Sequence, residues 1–127
     1  MKVAFVVLYV NDVEACLRFW VDKVGMVERQ RIAAGAFTIA RVGFADQDFS
    51  FELVPLEMMK ENPDGLDLAT PSIAFEVADL DALRARFVAA GVPASEITTA
   101  HGPRSFAFSD PEGRWFAALG GVGGTNV

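Results

Sequence analysis

The residue with the most conspicuous chemistry is Glu52, a carboxylate inside the apolar run Phe49 to Val54, FSFELV. Such a group can hold a divalent cation, act as a general base where burial raises a carboxyl pKa, or meet the positive end of a guest. Other candidates are few, because the chain has one histidine and one cysteine. His101 lies in a Gly-Pro loop, where a loop-structural or solvent-exposed role outweighs that of a ligand. Cys16 has no intrachain partner and falls on the apolar side of a helical pattern, so it reads as a buried structural thiol.

Glu52 must be positioned by a strand. A period of two puts Phe49, Phe51 and Leu53 on one face and Ser50, Glu52 and Val54 on the other. Before it, Val3 to Val10 reads as a strand, and Asn11-Asp12 as a turn and helix cap, with Glu14 in the capping-box position relative to Asn11. Val13, Cys16, Leu17, Trp20, Val21 and Val24 recur at helical spacing, and Gly25 ends the helix. Phe19 falls off that stripe. Strands Val27 to Ala34, Phe37 to Phe44 and Phe49 to Pro55 follow, separated by turns at Gly35-Ala36 and at Ala45 to Asp48. A connection with a short helical turn around Met58-Met59 leads to a second round. That round is a strand Pro71 to Val77, a cap at Asp79 and a helix with Leu80, Leu83, Phe87 and Ala90 as its buried stripe, ending at Gly91. A short extended piece near Ile97, strand Arg104 to Ser109, the turn Asp110-Pro111-Glu112-Gly113 and strand Arg114 to Leu119 complete it.

The two rounds superpose with a shift of 67 residues, which carries Asp12 onto Asp79, Val10 onto Val77 and Leu8 onto Phe75. The fold class is therefore α+β: two βαβββ modules forming a curved mixed sheet around a cleft, with helices on the outer face. The expected organisation is a single domain 1–127, with a first module 1–56, a linker 57–70, a second module 71–120 and a flexible tail 121–127. With 52% hydrophobic and 22% charged residues the chain has the composition of a compact globular protein. A net charge of -6 without a basic face excludes nucleic acid as the expected partner. No apolar run reaches membrane-spanning length and the N-terminus has no signal-peptide pattern, so a cytoplasmic location and no membrane partner are expected.

The stretch LYVNDVEACLRFWVDKVGM and the hairpin SFAFSDPEGRWFAAL, within paired βαβββ modules, resemble the vicinal oxygen chelate superfamily of glyoxalase I, extradiol dioxygenases and bleomycin-resistance proteins. The resemblance spans nearly the whole chain. It implies four inner-face positions that bind a divalent cation in the metal-dependent members. Here they are Phe5, Glu52, Ser72 and Ala117, of which only Glu52 is a usual ligand. Divalent metals of this kind need about three protein donors, and Glu52 with Glu76 and a water falls short of that. No metal and no cofactor are expected.

By parity with Phe5 and Glu52, the inward set also holds Val3, Val7, Tyr9, Ala74, Glu76, Trp115 and Leu119. Two readings stand side by side. In one, Phe5 and Trp115 fill the space a metal site would occupy and Arg41 or Arg104 neutralises Glu52. In the other, Phe5, Val7, Tyr9, Glu52, Ser72, Glu76, Trp115 and Ala117 line a pocket for a planar or cationic drug-like small molecule, which is sequestered unchanged as the bleomycin-resistance branch implies. The alternative is a glyoxalase- or dioxygenase-like lyase or isomerase with Glu52 as base or metal ligand. Phe19, off the first helix's stripe, and the family resemblance together suggest a homodimer.

Overall fold

The computed structural model describes residues 1, 3–100 and 102–120. His101 and the expected tail 121–127 lie outside the described residues. The chain divides into two compact units, Met1–Thr70 and Pro71–Val127.

In the first unit, β1 (Val6–Val10), β2 (Val27–Ala34), β3 (Phe37–Gly43) and β4 (Phe51–Pro55) form one sheet in the order β1-β4-β3-β2. β1 pairs parallel to β4 and the other pairs are antiparallel, so the sheet is mixed. The Gly35-Ala36 turn, with Gly35 at φ 64, places Ala34 opposite Phe37. Helix α1 (Val13–Arg18) opens at Asp12, whose carboxylate accepts from the Ala15 amide at 3.0 Å. The cap is thus Asp12, the residue that the shift of 67 aligns with Asp79. Glu14, one residue too early for a capping box, reaches across to Arg31 on β2 instead.

Beyond Arg18 the helix widens into a π-helical turn, Phe19–Val24, closed by Gly25 at φ 102. The amides of Gly25 and Met26 both donate to the Trp20 carbonyl. The wider turn alters the angular spacing that a strict α-helix would impose. Phe19 and Trp20 are consequently both buried, in edge contact at 5.0 Å, with Trp20 edge-on to Phe51 at 5.1 Å. The expectation that Phe19 protrudes is therefore corrected. Leu8, Val10, Ala40, Val42, Phe51 and Leu53 supply the sheet's share of this core.

In the second unit, β5 (Ala74–Val77), β6 (Ser105–Ser109) and β7 (Trp115–Gly120) form a sheet in the order β5-β7-β6. The fourth strand expected near Ile97 is present only as isolated bridges, Ala94 to Phe108 and Thr98 to Ser105. Helix α2 (Leu80–Ala89) opens at Asp79, which accepts from Ala82 N at 3.0 Å with nearly the backbone angles of Asp12. The repeat is thus exact in its capping chemistry although few side chains are shared. Leu80 and Phe87 are buried while Ala90, the helix's C-cap, is exposed. Phe87 meets Phe108 at 4.9 Å, and Phe108 stacks on Phe116 at 5.7 Å. Asp110 pins the β6-β7 turn, its Oδ1 accepting from the amides of Glu112 and Arg114. Among the described residues no helix is long and apolar enough to cross a membrane.

Candidate functional site

Each unit has one sheet face covered by its helix and one opposite face. In the first unit that opposite face is organised by a row of cross-strand partners, Val7, Glu52, Arg41 and Gln30, running across β1, β4, β3 and β2. Val54 and Tyr9 form the neighbouring pair. Side chains directly opposite each other in a sheet are close enough to interact. Arg41 Nε donates to Glu52 Oε2 at 2.8 Å, and the guanidinium carbon lies 4.1 Å from the centre of the Phe5 ring. Glu52 is well shielded, its side chain 13% exposed against 30% for Arg41. Of the two neutralising arginines considered, the structure selects Arg41. Arg104 is committed to Asp81, with two bonds of 2.9 Å.

Phe5 sits one residue before β1, so the strand is shorter than the run Val3 to Val10 suggests; Val3 is largely exposed. Ser72 likewise precedes β5, which begins at Ala74, and is exposed. For β1 the apolar composition hid the limit, since hydrophobicity is blind to the fact that the neighbouring β4 begins only at Phe51, opposite Val6. The first ladder contact near Phe5 is Val6 N to Ser50 O at 3.1 Å.

On the second unit's helix-free face, Ala74 pairs with Ala117, Glu76 with Leu119 and Trp115 with Ser109. The parity assignment holds here: Phe116 and Ala118 are buried toward the helix side, whereas Trp115 is 54% exposed and Ala117 and Leu119 are intermediate. Glu76 is exposed.

Two features had no counterpart in the sequence reading. One is the stacking of Arg41 on Phe5. The other is Arg29, the extra residue where the β2-β3 register shifts between Glu28 and Gln30. It donates to the carbonyls of Phe44 and Gln47, tying down the turn that leads into β4. For Arg41 a signal existed. Reflection through the middle of the Ala45 to Asp48 turn brings position 41 opposite 52, which is the register found.

A pair of strand-helix-strand modules with matching Asp caps, each leaving one sheet face free of helix, defines the class of the protein. The chain belongs to the Glyoxalase/Bleomycin resistance protein/Dioxygenase superfamily, whose family model matches residues 2–118. None of the curated proteins matches it. Among solved structures it is similar to TnmS3, an antibiotic binding protein from Streptomyces sp. CB03234, with 22% identity, a TM-score of 0.77 and coverage of 94% of this chain and 95% of that one. A superfamily member from Sphaerobacter thermophilus gives 20% identity and a TM-score of 0.77, over 94% and 97% of the two chains. A lactoylglutathione lyase from Agrobacterium tumefaciens gives 18% and 0.71, over 94% and 93%. At these identities the likeness is one of fold.

The donor set does not fit the divalent cation of the metal-dependent members. Phe5 offers a hydrocarbon ring and Ala117 a methyl group, Ser72 offers a neutral hydroxyl, and one oxygen of Glu52 is already taken by Arg41. Among the described residues no three His, Cys, Asp or Glu side chains come together as a metal site would require.

Proposed function

We propose that the protein binds a planar, drug-like small molecule and sequesters it without chemical change, using no metal. The observation that carries this reading is the Phe5–Arg41–Glu52 cluster. A charged, partly exposed group is fixed on a face that also carries the half-buried Val7 and Tyr9. An apolar wall with a few fixed polar groups is the usual make-up of a small-molecule site. The second unit by itself carries an exposed indole, Trp115, beside the small Ala117 on its own helix-free face, a surface suited to stacking. The fold likeness to an antibiotic-binding protein supports the same reading. Ser72 and Glu76 belong to the proposal as exposed polar groups of the second unit. A homodimer belongs to it on the family resemblance alone, because Phe19 is in the core.

Heat of binding measured against flat aromatic compounds tests the reading, with mass spectrometry of the recovered compound and elemental analysis of the protein. Binding is expected to be saturable, the compound to return unchanged, and Trp115→Ala to weaken it by roughly the 0.5–1.5 kcal/mol of an aromatic contact. A chemically altered compound would establish an enzyme instead, and a stoichiometric divalent metal lost on changing Glu52 to Ala would overturn the metal-free part of the reading.

A further inference from the structure

Resting on that binding reading, we infer that the polar anchor of the first unit is Arg41, that Glu52 positions it, and that the guest is a flat aromatic anion such as an aryl carboxylate or phenolate. A guanidinium has five N–H donors in a planar fork. Glu52 takes only Nε, and the Phe5 ring covers one guanidinium face. The terminal Nη1 and Nη2 have no hydrogen-bond partner among the described residues, and neither is buried as an orphan. The end of the fork is thus the part of Arg41 that remains open, and it matches two oxygens of a carboxylate.

Glu52 itself has less to offer a cation. One of its oxygens is engaged and its side chain is mostly shielded. Of the planar or cationic guest expected from the sequence, the cationic alternative treats that carboxylate as free, whereas its arginine neighbour presents an open group of the opposite sign. The chain's net charge of -6 acts against an approaching anion at long range. That field is screened over about 8 Å at physiological ionic strength, so direct contact with Arg41 decides. Val7, cross-strand partner of Glu52, and Tyr9, both half-buried, provide apolar surface on the same face for the ring system.

The test is calorimetric titration with three probes of one shape: naphthoate (anion), naphthamide (neutral) and naphthylmethylammonium (cation). Wild type should prefer naphthoate over naphthamide by about ten-fold or more, the scale of one charge-assisted hydrogen bond. Arg41→Met should bring that ratio close to one. Since Arg41→Met strands a shielded carboxylate, the double variant Arg41→Met with Glu52→Gln guards against misfolding and should show the same loss of preference. Glu52→Gln alone, whose amide oxygen can still accept from Arg41 Nε, should lower the preference for naphthoate, but by less than Arg41→Met does. If all three probes bind alike in wild type, or if the cation binds best and Glu52→Gln abolishes that, Arg41 is not the anchor although small-molecule binding stands. If none of the three binds up to its solubility limit, the binding reading falls and this inference with it.

Discussion

Replacing Arg41 with Met removes the donor held at 2.8 Å by Glu52 and leaves a carboxylate whose side chain is 13% exposed. Breaking a fully buried pair by deleting one partner costs about 3–5 kcal/mol, and losing a hydrogen bond to a charged group about 1.5–3 kcal/mol. Because water still reaches the pair from the Arg41 side, 30% exposed, the lower range applies and a loss of about 2 kcal/mol is expected. Glu52→Gln is milder, about 1 kcal/mol, since the guanidinium left behind can be solvated and Gln can still accept a hydrogen bond. The double variant should be less destabilised than Arg41→Met alone, because no charge is then stranded. The resulting coupling is more than about 1 kcal/mol, above the roughly 0.3–0.5 kcal/mol scatter of independent sites. Urea unfolding followed by fluorescence of the buried Trp20 measures all four corners of the cycle. Additive single effects would refute the pairing and return Glu52 to the role of a free carboxylate.

Two further outcomes follow from the packing and the charges. Gly43→Ala should destabilise the first unit by at least about 1–3 kcal/mol, as over-packing does, because an added Cβ would overlap the Phe49 carbonyl and crowd Arg29 Nε at 2.7 Å. The same urea titration reads this, and a variant as stable as wild type would contradict the close approach. The Arg104 guanidinium, hydrogen-bonded to Asp81, holds that carboxyl below its ordinary value, and Arg31 does the same to Glu14. A depressed folded-state pKa contributes stability above the unfolded value of about 4 that is lost as pH falls through the folded value. Stability should therefore drop on acidification below about pH 4, less so in Asp81→Asn and less in high salt, since the pair is exposed. An acid limb unchanged by Asp81→Asn would show that the pair does not form in solution.

Much of the fold is legible in the chain because it rests on local rules. Asp12 and Asp79 cap helices through bonds three residues long in sequence, Gly25 and Gly91 end them at positive φ, and the turns at Gly35 and Gly113 set hairpin registers. Period-two parity also placed Glu52, Tyr9 and Trp115 on their faces, since alternation is a property of the extended backbone itself. Other matters were settled only when distant segments met. Phe19 is buried because the helix departs from the regular period into a π turn, so a strict period misplaces it. Strand β1 starts later than its apolar stretch because its partner β4 begins only at Phe51, opposite Val6. Above all, the sequence supplied Glu52 and two arginines that could answer it, but a side-chain charge has no addressee until strands pair. The β3-β4 register gave Glu52 to Arg41, while Asp81 at the start of α2 claimed Arg104. The sign of the open polar group in the first unit follows from that tertiary choice.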